Sequence, residues 1–217
     1  QSFDLIQSDT HFGEPSWEKA ESRMQALALE AAMQKAAVTT DALDYVFAGD
    51  LLNQCTASAF GLREFGIPMY GQYGACSTMA QTLAMAAVFV DSGAADVAAA
   101  VTSSHNAAAE RQFRLPLEYG GQRTPTAQWT ATAAGAFILS KGSDGVRITS
   151  GMAGRMIDGG IKDAANMGAA MAPAVADTIL RYFAESGDSP ADYDAIVTGD
   201  LGREGSAILA DLLAGKG

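Results

Sequence analysis

The residue with the clearest potential for covalent chemistry is Cys76, in the segment Tyr73-Gly74-Ala75-Cys76-Ser77-Thr78. It stands between a predicted strand and a predicted helix without charged residues, and Ser77 or Thr78 could cap that helix. A thiol at a helix N-terminus feels the positive end of the helix dipole, which favours the nucleophilic thiolate. Backbone N–H groups there could also stabilise an oxyanion after attack on a carbonyl. The alternative is a buried structural cysteine.

A second candidate site is a group of arginines that follows a long stretch of chain without basic residues. No Lys or Arg lies between Arg63 and Arg111. Three arginines then follow within a short span, namely Arg111, Arg114 and Arg123. Guanidinium groups bind carboxylates through paired hydrogen bonds, so this cluster fits an acidic ligand. The alternative is a salt-bridged loop in which Glu110 and Glu118 pair with these arginines.

Polar side chains at the ends of two predicted strands could also form hydrogen bonds to a ligand. Asn53 follows the predicted strand 45–48, and His105 and Asn106 follow the predicted strand 97–101. Because open α/β sheets bind ligands beyond the carboxyl ends of their strands, we expect a site there. The alternative for His105 is a loop histidine bonded to the backbone.

The composition excludes several classes of function. With 25 acidic and 14 basic side chains, the 217-residue chain has a formal net charge of -11, which argues against a nucleic-acid binder. The longest apolar tract, 83–101, is interrupted by polar residues and is too short for a membrane span. Two cysteines and two histidines do not fall at zinc-ligand spacing, and the carboxylates form no calcium loop, so no metal site is predicted.

The elements that must position these residues alternate between helices and buried strands. An amphipathic helix is predicted over 16–37, with an apolar face that comprises Trp17, Met24, Leu27, Ala28, Ala31 and Ala32. Further helices are predicted over 51–65 and 77–90, and strands over 45–48, 67–73, 97–101, 134–139 and 146–149. This order indicates an α/β fold.

An internal repeat suggests that the fold is a duplication. The octapeptide Asp44–Leu51 returns 150 positions later as Asp194–Leu201, and each copy follows a predicted helix (16–37 and 173–185) and a polar turn. A repeated aspartate at positions 50 and 200 favours a helix-capping role. We therefore expect an N-terminal half over 1–143 and a truncated C-terminal half over 144–217.

Several longer strings identify a family. The duplicated helix–strand unit, with Gly74-Ala75-Cys76-Ser77 before a buried helix, resembles the thiolase and ketoacyl synthase superfamily. More specifically, the chain resembles the family of stage V sporulation protein AD. The strings that resemble it are Ala48–Gln54, Gly74–Thr78, Thr102–Asn106, Ala109–Arg114 and Glu118–Gln122.

The resemblance implies a five-layered αβαβα fold and a protein of endospore formers that binds dipicolinic acid, with or without calcium, without being an enzyme. It also implies partners in a dipicolinate channel at the forespore or inner spore membrane, a peripheral cytoplasmic location, and a homodimer in which the strand 97–101 pairs with its two-fold mate. The ligand residues expected are Asn53, Cys76, His105, Asn106, Arg111 and Arg114, and Phe113 or Tyr119 would stack on the pyridine ring. The alternative is an acyltransferase or condensing enzyme with Cys76 as nucleophile.

Overall fold

A computed structural model describes residues 3–113 (for Phe113 the backbone alone), 124, 126–142 and 145–214 of the chain. The predicted roles of Arg114, Glu118, Tyr119, Arg123 and the Phe113 side chain lie outside the described residues. The helices are α1 (Trp17–Ala36), α2 (Thr56–Leu62), α3 (Thr78–Ser92), α4 (Asn106–Phe113), α5 (Met167–Ser186) and α6 (Gly202–Ala214). The strands are β1 (Tyr45–Gly49), β2 (Met69–Gly71), β3 (Val97–Ser104) and β4 (Ala133–Ser140).

The chain divides into two compact units. The first comprises the described residues of Gln1–Tyr119 and Thr130–Ile148, and it holds α1 to α4 and the four strands. The second comprises the described residues of Gly120–Trp129 and Thr149–Gly217, and it holds α5 and α6. All the predicted site residues that the structure describes therefore lie in the first unit.

The four strands form one mixed sheet in the order β2-β1-β3-β4. β1 pairs in parallel with both β2 and β3, and β4 runs antiparallel to β3. Since β3 has a hydrogen-bonded neighbour on each side, it has no edge to offer a second chain. The expectation that strand 97–101 pairs across a dimer two-fold is therefore wrong.

The sheet separates two apolar layers because successive side chains of a strand point to opposite faces. On one face Val46, Ala99 and Val101 pack with Leu29 of α1 and Leu62 of α2. On the other face lies a second cluster that comprises Phe47, Ala98, Ala100, Ala86 and Val90, the last two from α3. The predicted buried strands 45–48 and 97–101 are confirmed as β1 and β3, and both contribute apolar side chains to the two faces of the sheet.

Helix α1 begins as predicted, after Ser16, whose hydroxyl accepts a hydrogen bond from the backbone N–H of Lys19 at 3.4 Å. Its buried face differs from the prediction. Leu29 and Met33 are buried, whereas the predicted Leu27, Ala28, Ala31 and Ala32 are only half-buried. The buried face of α1 is rotated relative to the predicted one, because the polar side chains of Glu21 and Gln25 are buried against the sheet and form hydrogen bonds with Ser103 of β3.

The second unit repeats the local order of the first. Helix α5 lies 150 positions after α1 at both its first and its last residue, and the 3-10 turns Thr40–Ala42 and Pro190–Asp192 follow at the same offset. Helix α5 begins six residues before the predicted start at Pro173, because the Asn166 side chain caps it by accepting from the Ala169 N–H at 3.2 Å.

The predicted strand 146–149 is not formed within the described residues, and neither is a second copy of β1. Residues 195–199, the counterpart of β1, and 146–149 have no strand pairing there. Both segments are largely exposed, and Val146 and Val197 have little contact with the rest of the described chain. A strand needs a hydrogen-bonded neighbour, and the octapeptide Asp194–Leu201 has none among the described residues, whereas β1 in the related octapeptide Asp44–Leu51 lies between two strands.

Candidate functional site

The site is a cavity of about 260 Å³ beside the carboxyl ends of β1 and β3. It is lined by Glu18, Leu52, Asn53, Thr56, Ala108, Arg111 and Gln112. Two of the predicted ligand residues, Asn53 and Arg111, therefore lie on one cavity although they are far apart in sequence. Its volume is slightly below the usual range for drug-sized ligands, which suits a small molecule.

Arg111 is the cationic side chain among the described residues that line this cavity. Its Nη2 donates to the Glu18 carboxylate, and its guanidinium lies over the Trp17 ring, 5.5 Å from the centroid. The His11 ring stacks on the same indole at 5.7 Å between centroids. The partner of this arginine is thus Glu18, rather than the Glu110 considered from the sequence, and Glu110 instead accepts from Thr130.

Asn53 and Gln112 form the amide side of the cavity. The Gln112 Oε1 accepts from the Asn53 backbone N–H at 3.1 Å, and its Nε2 donates to the Asn53 Oδ1 at 3.1 Å and to the Leu51 carbonyl at 3.3 Å. The next two residues, Gln54 and Cys55, have positive φ values of 62° and 52°. Such left-handed backbone costs about 1 to 3 kcal/mol per residue and clusters at ligand sites.

His105 and Asn106 are placed differently from Arg111. The His105 ring is buried, and its Nε2 donates to the Thr10 carbonyl at 2.8 Å. The Asn106 Nδ2 donates to the Thr130 carbonyl and its backbone N–H to the Thr132 hydroxyl, at 2.8 and 2.9 Å. Neither side chain lines the cavity. Both instead fasten neighbouring chain segments to the end of β3.

Cys76 is exposed, in the 3-10 turn Ala75–Ser77 that leads directly into α3. The Ser77 hydroxyl donates to the Gly74 carbonyl at 2.8 Å instead of capping α3, and the Thr78 hydroxyl accepts from the Gly74 N–H at 3.1 Å. This turn packs closely on β1, because a Cβ on Gly49 would lie 2.5 Å from the Thr78 methyl carbon. The thiol is therefore held at the entrance of a helix, as predicted, but it does not line the cavity.

A buried polar network beneath the cavity was missed by the sequence analysis. The Asp50 Oδ2 accepts from the Ser58 N–H and hydroxyl at 2.8 and 2.6 Å, and the Gln25 Nε2 bonds both Ser58 and Ser103. The Ser103 hydroxyl in turn donates to the Glu21 carboxylate at 2.9 Å. The available signal was the polar side chains at positions 21 and 25, one helical turn apart in an amphipathic helix.

Burial dominates the electrostatics of this network. Desolvation, with a smaller contribution from the nearby Asp50 carboxylate, raises the pKa of Glu21 to about 7, against the opposing effects of hydrogen bonds from Ser103 and the His105 backbone. The Glu21 Oε2, the Gln25 Oε1 and the His105 Nδ1 have no hydrogen-bond partner among the described residues. A neutral, protonated Glu21 is therefore the favoured state at acidic pH.

The described residues contain no cluster of three or more His, Cys, Asp or Glu side chains that could hold a metal ion. In the same part of the chain, no helix is long and apolar enough to cross a membrane.

The fold defines the class of protein. The structure is similar to condensing enzymes: a variant of the OleA protein of Xanthomonas campestris bound with cerulenin (TM-score 0.68, 15% identity, 88% of this chain and 61% of that chain). It is also similar to AbyA1, a tetronic acid condensing enzyme (TM-score 0.63, 17% identity, 88% and 67%). A third is 3-oxoacyl-(acyl carrier protein) synthase III from Pseudomonas aeruginosa PAO1 (TM-score 0.60, 16% identity, 89% and 65%). The fold is thus thiolase-like, of the mixed α/β type expected from the sequence.

The family follows from sequence. The family profile described as "Stage V sporulation protein AD (SpoVAD)" matches residues 1–217, and the chain is 46% identical over 215 residues to stage V sporulation protein AD of Bacillus subtilis (strain 168). The chain belongs to the stage V sporulation protein AD family. It spans 64% of the length of that curated relative.

Proposed function

We propose that this protein binds dipicolinic acid in the cavity beside β1 and β3 and assists its uptake into the developing endospore, as a binding protein on a thiolase-like scaffold. The observation that supports this most directly is that Arg111 and Asn53, both expected to bind the ligand, line one cavity of suitable size. Membership of a sporulation protein family is consistent with this role.

The chemistry of the cavity matches a small aromatic dicarboxylate. Arg111 offers a guanidinium to one carboxylate, and the Asn53 Nδ2, which the Gln112 amide holds in place through the Asn53 Oδ1, offers a neutral donor to a second one. Leu52 and Ala108 give the cavity an apolar side against which a planar ring can pack. The net charge of -11 repels a dianion at long range, so affinity must come from these local donors.

Further parts of the proposal concern partners. The protein would work at the cytoplasmic face of the forespore or inner spore membrane with the proteins of a dipicolinate channel, and it would accept dipicolinate free or with calcium.

It would form a homodimer through the edge strand β2, since Met69 and Tyr70 are exposed there and the outer side of β2 is unpaired within the described residues. His105 and Asn106 would support the site, since neither side chain lines the cavity, and Arg114 would bind the ligand.

The experiment is a calorimetric titration of dipicolinate into the complete protein, with and without calcium. We expect saturable binding with one ligand per chain, and a weaker signal for pyridine-2-carboxylate, which lacks one carboxylate. Absence of any binding by the properly folded complete protein would refute the proposal.

A second function, acyl transfer through Cys76, is favoured by one observation: the exposed thiol stands at the entrance of α3 in a fold shared with condensing enzymes. The thiolate would attack the carbonyl carbon of an acyl thioester and release the leaving thiol, and the acyl group would then be bound to Cys76. Incubation with acyl-coenzyme A and intact-mass measurement tests this. An acyl adduct that disappears in Cys76→Ser would support the enzyme, and its absence would favour the binding protein.

A further inference from the structure

We infer that Glu18 is an internal competitor that sets the affinity of the cavity for acidic ligands: its carboxylate pairs with the Arg111 guanidinium, and the carboxylate of a ligand must displace it. This inference rests on the proposed function, because it concerns how the same cavity admits a carboxylate. It follows from the ion pair between the two side chains, both of which line the cavity. The Glu18 carboxylate thus stands in for the ligand's own carboxylate.

Arg111 is held in place without the help of Glu18. Its guanidinium lies over the Trp17 ring, and that indole is itself stacked on His11. A cation over an aromatic face is attracted by the ring and keeps its N–H groups free to bond at the edge of the plane. Removal of the Glu18 charge therefore leaves the guanidinium oriented towards the cavity and gives it an unneutralised charge.

Glu18 also has a second stabilising environment once it leaves Arg111. It lies in the first turn of α1, where the helix dipole favours a negative charge. Its side chain is 35% exposed, so part of it already contacts water. Both features make the exchange of one carboxylate for another inexpensive, although the displaced charge still repels the incoming anion.

The consequence is a higher affinity threshold, since every carboxylate ligand must compete with Glu18 for Arg111. A ligand with one carboxylate replaces the Glu18–Arg111 ion pair by another ion pair of the same kind, so its net free energy of binding is small. A ligand with a second polar group gains further bonds to Asn53 or Gln112, which line the same cavity. Glu18 therefore lowers the affinity for every carboxylate and leaves significant occupancy to ligands that make the additional contacts.

The test compares Glu18→Gln with Glu30→Gln in the complete protein. Glu30 is a matched control: it lies on the same helix, is similarly exposed and is paired with an arginine, Arg23, at 3.8 Å. Both substitutions change the net charge equally. Dipicolinate and pyridine-2-carboxylate are titrated calorimetrically into wild type and both variants, after circular dichroism has shown that the variants are folded.

We expect Glu18→Gln to bind both ligands about tenfold more tightly than wild type, and Glu30→Gln to differ from wild type by less than about twofold. Unchanged or weaker dipicolinate binding by Glu18→Gln, in a wild type that binds, would overturn the inference and leave the proposed function standing. A third result is that dipicolinate binds neither wild type nor Glu18→Gln while pyridine-2-carboxylate binds the variant more tightly than wild type. That result would refute the proposed function and support the competition between Glu18 and a ligand carboxylate for Arg111. If neither ligand binds wild type or Glu18→Gln, both fail.

Discussion

Asp50 and Asp200, which occupy the same place in the two copies of the repeat, make the same local bond. The Asp50 Oδ1 accepts from the Leu52 N–H at 2.9 Å, and the Asp200 Oδ1 accepts from the Gly202 N–H at 2.9 Å. The offset of 150 positions that relates α1 to α5 thus extends to individual hydrogen bonds. The repeated aspartate therefore acts first as a turn former at the start of the segment that follows the strand.

The two aspartates differ in burial, and this gives a prediction for stability. Asp50 is buried and also accepts from the Ser58 N–H and hydroxyl, whereas Asp200 is exposed. Asp50→Ala leaves several buried donors without an acceptor and should destabilise the protein by at least ~3 kcal/mol, against about 1 kcal/mol for Asp200→Ala. Urea denaturation followed by circular dichroism measures both. Equal losses would mean that Asp50 does not anchor the buried network.

Glu21 should make stability depend on pH. Its pKa is raised to about 7 in the folded protein from 4.5 for the unfolded chain, so between these values the folded state binds more protons. Its contribution to stability is therefore fully present below about pH 4.5 and is lost as the pH rises through about 7, by roughly 3 kcal/mol in all. Glu21→Gln, which stays neutral, should remove this loss.

The measurement is the free energy of unfolding of wild type and Glu21→Gln at several pH values from 4.5 to 8. The free energy of unfolding of the variant, relative to that of wild type, should increase as the pH rises. The comparison of the two proteins cancels the contribution of the other titrating groups. A constant difference across this range would show that Glu21 does not change its charge there.

The two cysteines should differ in reactivity. Burial raises the pKa of the Cys55 thiol, which also donates to the Gln72 carbonyl at 3.3 Å, whereas Cys76 is exposed. Iodoacetamide should modify Cys76 at least about tenfold faster than Cys55. Peptide mass spectrometry at timed intervals measures both rates, and Cys76→Ser should leave only the slow reaction. Similar rates at the two positions would contradict the structure.

The homodimer proposed through β2 can be tested at its exposed side chains. Met69 is exposed on this edge strand, and a charge there would be buried in a strand-to-strand contact. Sedimentation of the complete protein at micromolar concentration should give a dimer, and Met69→Lys should shift it to monomer. A wild-type monomer would refute the homodimer, and a dimer unaffected by the substitution would show that β2 does not form its interface.

The sequence predicted those features that depend on local pattern. The buried strands β1 and β3, the helix after Cys76 and the first helix follow from runs and spacings of apolar residues, and all are confirmed. The pairing of Glu18 with Arg111 could not be predicted, because the two residues are 93 positions apart and only the packing of α4 near the start of α1 brings them together. The sequence also could not show that the second copy of the strand lacks pairing, because strand formation depends on hydrogen-bonded neighbours as well as on the residues of the segment itself.

The central claim, that Arg111 binds dipicolinate, is tested most directly by the dissociation constants of Arg111→Ala and Arg63→Ala. Arg63 is a matched control, because it too pairs with a glutamate, Glu64 at 2.8 Å, and lies over a ring, Phe60 at 5.6 Å, but it does not line the cavity. A lost hydrogen bond to a charged group costs about 1.5 to 3 kcal/mol, so Arg111→Ala should weaken calorimetric binding about ten- to a hundredfold. Arg63→Ala should stay within about twofold of wild type. Equal losses in the two variants would contradict the account, because general electrostatics and not this cavity would then govern binding.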